Sequence, residues 1–155
     1  MYERIVDYLE SRNASYDVMT HEPIVTSVDA AAARGTELSQ GLKCLLLQTD
    51  VQHVLAVIPG DAKLASKKVR HMYNTKEVRF ATPETVQQIM GCEVGACYPL
   101  GNLIDVATVF DVHIGALETV VFNAGHHDTS IRMAGTELIN AVTPAWADII
   151  KLEAV

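Results

Sequence analysis

Apolar and polar residues follow two periods along this chain, and the switches between them mark out its elements. Tyr2 to Arg12 carries Ile5, Tyr8 and Leu9 at helical spacing with charges between them, which predicts an amphipathic helix that Asn13 can end. Tyr16 to Met19 reads as a short strand leading into Thr20-His21-Glu22-Pro23, where the proline biases Glu22 away from helix. Thr26 or Ser27 can cap a helix through Val28 to Ala33, and Gly35 closes it. Two nearly continuous apolar runs follow, Leu42 to Leu47 and Val54 to Ile58, the second stopped by Pro59-Gly60-Asp61. They read as two buried strands joined by a hairpin through Thr49 to Gln52.

Leu64 to Tyr73 predicts a helix and Val78 to Ala81 a short strand. Thr82-Pro83-Glu84-Thr85 is a helix start, with proline in the first turn; that helix runs to Met90, and Gly91 is its natural stop. Further strands are expected at Ile104 to Phe110, Thr119 to Phe122, Thr129 to Met133 and Ile149 to Leu152, with a helix from Gly135-Thr136 to Val142. No repeat, low-complexity tract or linker interrupts the 155 residues, so a single domain over residues 1–155 is expected. Strands and helices mix without a βαβ rhythm, which favours an α+β fold with a mixed sheet over a doubly wound one.

Composition adds bounds. Nearly half the residues are apolar and a fifth are charged, as in globular domains. No apolar run approaches the ~20 residues that span a bilayer, and Met1-Tyr2-Glu3-Arg4 is not the basic start of a signal peptide. A cytoplasmic location follows as the expectation. The net charge of −7 argues against broad nucleic-acid binding, so no DNA partner is expected. Yet Lys63, Lys67, Lys68, Arg70, Lys76 and Arg79, half of all Lys and Arg, fall within seventeen residues holding one acid, Glu77. That is a basic patch on an acidic chain; it is either a solvated helix face or a phosphate-binding one.

Candidate chemistry is sparse. Lys43 stands at the start of a strand among Leu42, Cys44, Leu45, Leu46 and Leu47. It either snorkels to water or places a cation at the rim of a pocket, for a carbonyl, carboxylate or phosphate. His126-His127-Asp128 offers no metal-ligand spacing, because adjacent side chains on a strand point to opposite faces, and His21 sits alone in a loop. No metal, cofactor motif, phosphate loop or nucleophile elbow is present, so no cofactor is expected. Cys44, Cys92 and Cys97 read as free thiols, and Asp105 and Asp111 as turn or capping residues. Gly91 to Gly101 holds three glycines and Pro99, and it offers backbone more than side chains. It is either a plain connection or a loop that aims N–H groups at an oxyanion. The residues alone leave small-ligand binding, or a hydrolysis relying on positioning and backbone electrostatics.

His21-Glu22-Pro23 with Thr26, Gln40-Gly41-Leu42-Lys43, Pro59-Gly60-Asp61, Gly95-Ala96-Cys97-Tyr98-Pro99, Asp111, and Ala124-Gly125 to Ile131 together resemble, in order and spacing, a known set of motifs. They are those of the YbaK/prolyl-tRNA-synthetase-associated domain family of aminoacyl-tRNA deacylases. The resemblance covers nearly the whole chain. It implies a mixed β-barrel-like sheet surrounded by helices. It also implies trans-editing: hydrolysis of the ester joining a wrong small amino acid (Ala, Cys, Ser or Thr) to the 3′ adenosine of a tRNA, of the proline class. On that likeness Lys43 positions the ester or a terminal phosphate, and Gly95 and Ala96 supply amides. His21, Thr26, Cys97, Tyr98, Pro99, His127 and Asp128 then bind substrate, while Lys63, Lys67, Lys68 and Arg70 meet the acceptor stem. The implied partners are the aminoacyl-tRNA acceptor end and an aminoacyl-tRNA synthetase, with no membrane. The substrate's own ribose hydroxyl and a water would supply much of the chemistry. Cys44 stands where alanine-specific relatives carry asparagine, so alanine specificity is not assigned. A non-catalytic module binding an aminoacyl end, a free amino acid or a synthetase is the other reading.

Overall fold

The computed structural model describes residues 1–24 and 26–152; the last three residues of the expected domain, 153–155, lie outside them. Helix α1 (Tyr2–Ser11) buries Ile5 and Leu9, and Asn13 follows in the left-handed region at φ 55°. After β1 (Asp17–Thr20), α2 (Ser27–Arg34) is capped by Thr26, whose hydroxyl accepts from Asp29 N, and ended by Gly35 at φ 66°. The two apolar runs form the expected hairpin. In it β2 (Leu42–Thr49) pairs antiparallel with β3 (His53–Pro59), closed where Thr49 N–H donates to Gln52 O at 2.9 Å.

Strand β3 is buried on both faces, which is why its sequence does not alternate. Leu55 and Val57 enter one core with Ile5, Leu9, Tyr98, Phe110 and Phe122; Val54, Ala56 and Ile58 enter a second with Leu47, Val69, Val109 and Ile150. The remaining strands are β4 (Ala62–Leu64), β5 (Val78–Phe80), β6 (Ala107–Asp111), β7 (Thr119–His126), β8 (Thr129–Ala134), β9 (Ala145–Ala147) and β10 (Ile150–Leu152); the helices are α3 (Ser66–Tyr73), α4 (Pro83–Met90) and α5 (Gly135–Val142). They build a five-stranded mixed sheet in the order β5-β2-β3-β6-β9, an antiparallel β1-β8-β7 sheet and a β4–β10 pair. A single parallel bridge, Gly41 to Val121, joins the first two. The α+β class and mixed sheet are as expected; among the described residues the ladders do not close into a barrel.

Three local expectations are corrected. Leu64 ends β4 and does not open the following helix, because Ile150 supplies its cross-strand partner; α3 begins at Ser66. Ile104 to Val106 is a turn, with Asp105 at φ 57° and Val106 N–H donating to Gly101 O, so β6 starts at Ala107. His127 and Asp128 form the β7–β8 turn, so strand alternation does not govern them. Asp111 does cap as expected. Its buried carboxylate accepts from His113 N at 2.9 Å and from Ile149 N at 3.0 Å, tying the end of β6 to the C-terminal segment.

Candidate active site

The glycine-rich stretch divides into a helix stop and a turn. Gly91 ends α4 at φ 66°. Ala96 N–H then donates to Glu93 O at 3.0 Å, with Gly95 at φ 89°, which makes Glu93 to Ala96 a type II turn needing glycine at its third position. The Ala96 amide is thereby committed, which corrects the expectation that it faces substrate. Tyr98 is fully buried and donates to Met90 O at 2.8 Å, and Pro99 is buried beside it, so both support the turn from behind. His127 covers the turn's outer side: a Cβ on Gly95 would lie 3.3 Å from its Cε1, and its ring nitrogens lie 3.2 Å from Ile24 O and 3.3 Å from Glu93 Oε2.

The turn forms one wall of a cavity of about 300 Å³ whose lining includes Thr26, Arg34, Gly41 to Leu46, Phe80, Val94, Gly95, Cys97 and Asn123. Of the expected site residues, Lys43, Gly95, Cys97 and Thr26 meet here. Ala96 and His127 instead flank a smaller cleft on the far side of the turn. His21 and Asp128 lie in the network behind α2: His21 N–H donates to Asp128 O at 3.0 Å. Lys43 borders the cavity while its Nζ donates to Ala62 O at 2.7 Å, on the side of the sheet where Leu47 packs. Lys63, Lys67, Lys68 and Arg70 are exposed on β4 and α3, outside the cavity lining, and Lys68 is paired with Asp148 at 2.9 Å.

The cavity runs along an open stretch of strand edge. Strand β5 pairs with β2 only at Leu47 to Thr49, followed by Ala81 N–H donating to Leu46 O at 3.0 Å, and the bridge to β7 falls at Gly41. Backbone groups of alternate residues share a direction, so Cys44 presents its N–H and C=O on the same side as Leu46. No strand among the described residues pairs with it there.

Sequence reasoning missed Arg34. It stands in the last turn of α2, where nothing in the neighbouring sequence singles it out, yet it is only 6% exposed. Its Nε donates to Ser130 Oγ at 2.9 Å and its Nη2 to Asn123 Oδ1 at 3.1 Å. Ser130 is held in turn by His21, whose Nε2 lies 2.7 Å from Ser130 Oγ and whose Nδ1 lies 2.8 Å from Glu22 O. Nδ1 must donate to that carbonyl, so in the neutral ring Nε2 accepts the Ser130 hydroxyl proton. Burial pulls the Arg34 guanidinium down to about 10, which leaves it charged at neutral pH.

The two thiols that line the cavity, Cys44 and Cys97, are poor nucleophiles; Cys92, which the hydrogen bond with Cys97 pulls down, is buried outside that lining. Burial pushes Cys44 well above its ordinary range. The hydrogen bond shared with Cys92, whose sulfur is 3.8 Å away, and then burial push Cys97 up. Among the described residues no group of three or more His, Cys, Asp or Glu is placed to hold a metal ion, and no helix is long and apolar enough to cross a membrane.

Comparison with known proteins identifies the family. The chain is 28% identical over 152 residues to the multifunctional Ser/Thr-tRNA deacylase ProXp-y of Escherichia coli (strain K12), covering 90% of this chain and 91% of that protein. It is 35% identical over 89 residues to proline–tRNA ligase of Geobacillus sp. (strain WCH70), covering 56% of this chain and 16% of that enzyme. The fold matches a crystal structure described as a candidate trans-editing enzyme for prolyl-tRNA synthetase, with TM-score 0.85, 23% identity, and 97% of this chain and 96% of the other covered. The aminoacyl-tRNA editing domain profile matches residues 21–141, the segment that holds every residue of the cavity wall; this chain belongs to the aminoacyl-tRNA editing domain family.

Proposed function

We propose that the chain is a trans-editing hydrolase that removes serine or threonine from a mischarged tRNA of the proline class. The aminoacyl ester would sit between α2, the Cys44 edge of β2 and the Glu93–Ala96 turn. The carrying observation is the cavity. It combines a buried guanidinium, a bordering lysine and an open strand edge with two thiols kept neutral, Cys44 by burial and Cys97 by the hydrogen bond with Cys92 and then burial. At about 300 Å³ it is at the small end of ligand pockets, which suits an aminoacyl group and not a larger polymer end.

In this reading the Cys44 N–H, not the Ala96 N–H, donates to the ester carbonyl oxygen, where negative charge grows as water adds. The water oxygen bonds to the carbonyl carbon, the bond to the ribose oxygen breaks, and that oxygen takes up a proton. Free amino acid and a tRNA with a free terminal hydroxyl leave. Water is the nucleophile, with the neighbouring ribose hydroxyl to help move its proton, and Lys43 holds the ester or the terminal phosphate. Lys63 sits directly opposite Lys151 in the β4–β10 ladder, a like-charge pair that costs stability unless an anion bridges it. Acceptor-stem phosphates meeting Lys63, Lys67 and Arg70 would supply that anion, so activity should fall as salt rises. A single domain over residues 1–155 acting in the cytoplasm belongs to the same proposal.

The test is a panel of tRNA for proline charged in turn with Ser, Thr, Ala and Cys, incubated with wild type and Lys43→Ala. Multiple turnover by the wild type, strongly reduced in the variant, is expected and excludes a purely binding role. Absence of wild-type deacylation across the panel would overturn the proposal.

A further inference from the structure

The guanidinium of Arg34 carries five N–H donors. One goes to Ser130 Oγ and one, from Nη2, to Asn123 Oδ1. Asn123 is fixed in turn by its own Nδ2, which donates to His126 O at 3.2 Å. Both partners of Arg34 are neutral, and no carboxylate pairs with it among the described residues. Nη1 has no hydrogen-bond partner among them either. It lies at Gly41, where a Cβ would stand only 3.1 Å from it, so the absent side chain leaves Nη1 its space in the cavity wall. A buried cation is retained at a cost when nothing uses it.

Depth in the cavity narrows what could use it. Phe80 and Val94 are 62% and 55% exposed, whereas Arg34 is 6% exposed. The bulky adenosine therefore belongs with the exposed rim, and the small amino-acid side chain reaches the buried end.

We propose that Arg34 is the residue that selects hydroxyl-bearing amino acids, its Nη1 donating to the side-chain oxygen of a seryl or threonyl ester. This rests on the deacylase reading above and deepens it. An arginine can only donate, so it rewards an acceptor oxygen and gives nothing to a methyl group. An aliphatic side chain would strip water from Nη1 and leave it unpaired, and a site built around a substrate hydroxyl rejects analogues lacking one. The same logic disfavours proline, which offers no side-chain acceptor and must be spared on its own tRNA. Ser130 and Asn123 are positioning residues: they hold the fork so that Nη1 is presented at Gly41.

The experiment compares kcat/KM for the same tRNA charged with Ser, Thr or Ala, using wild type, Arg34→Lys and Arg34→Gln. A hydrogen bond to a charged group corresponds to roughly tenfold to a hundredfold, so the Ser/Ala and Thr/Ala ratios should fall by about that factor in both variants. Equal loss on all three esters would overturn the inference, because it would place Nη1 on the shared ester or ribose. Should both variants fail to fold, Ser130→Ala keeps the Arg34 charge and releases Nε, together with the His21 contact to the same hydroxyl; it should lower the same ratios, and an unchanged ratio would count against the proposal. Wild-type inactivity on all three esters is a different result: it removes the deacylase reading itself and this inference with it.

Discussion

Replacing Gly95 with alanine tests whether the Glu93–Ala96 turn shapes the cavity or merely connects two elements. Gly95 sits at φ 89°, where an L side chain is strained by about 1–2 kcal/mol. The added Cβ would also lie 3.3 Å from His127 Cε1, so the ring or the turn must give by a few tenths of an ångström. The harm thus comes through the turn's backbone and its backing, since the new atom points at His127. Gly91→Ala is the matched control. Gly91 is at φ 66°, and its Cβ would meet the Cε of Met1 at 2.9 Å, the far end of a flexible side chain that can move aside. Both variants should therefore lose about 1–2 kcal/mol, a fall in Tm of roughly 2–8 °C for a domain of this size. Only one should lose turnover. Displacing a substrate-positioning segment by about 1 Å can cost up to a hundredfold, so Gly95→Ala should lower kcat/KM by about tenfold to a hundredfold. Gly91→Ala should stay within about twofold, because it changes the α4 stop and not the wall. The assays are thermal unfolding and deacylation of seryl-tRNA, normalised to folded protein. Equal stability losses with unchanged turnover in both variants would show that the turn is only a connection.

Phe80 presents an exposed ring at the mouth of the cavity, beside Arg79, and a base stacked on an aromatic face contributes about 1–3 kcal/mol. Phe80→Ala should raise KM about tenfold or more with little change in Tm; an unaltered KM would refute a stacking role. The Cys44 and Cys97 thiols should react slowly with an aromatic disulfide reagent in the native protein and at once in denaturant, because burial in the first, and the hydrogen bond with Cys92 and then burial in the second, keep them protonated. A fast native phase of two thiols would contradict this. The Asp50 carboxylate accepts Lys76 N–H at 2.8 Å, which holds it below its ordinary value of 3.8. Its ionised form is favoured in the fold, so its contribution is present above that value and disappears as pH falls through the lower folded one. Asp50→Asn should flatten the acid limb of stability against pH, and an unchanged limb would exclude the contact as a source of acid sensitivity.

What could be read beforehand separates cleanly from what could not. The α4 start at Thr82-Pro83, the stops at Gly35 and Gly91 and the β2–β3 hairpin are decided by neighbours within a few residues, and each lies where the pattern puts it. Strands β4 and β9 escaped because their partners, Ile150 to Leu152 and Val109 to Asp111, are far away in sequence and their own three residues carry no period. The same distinction runs through the site. Lys43 drew notice because a charge inside an apolar run is a local anomaly, and Gly95 because glycine before proline is a local signal. Arg34 is anomalous only in three dimensions: Ser130 and Asn123, which hold it, lie 96 and 89 residues away. The Ala96 amide fails as a donor for the opposite reason, since its acceptor, Glu93 O, lies only three residues back, within the same turn. The backbone donor that does border the cavity belongs to Cys44, and it is exposed by where β5 stops pairing rather than by anything in its own sequence. A substrate group that pairs with that edge would extend the sheet by one short rung, so binding should protect the Cys44 amide from hydrogen exchange while leaving Ala96 as it is. Protection of Ala96 alone would return the oxyanion role to the turn.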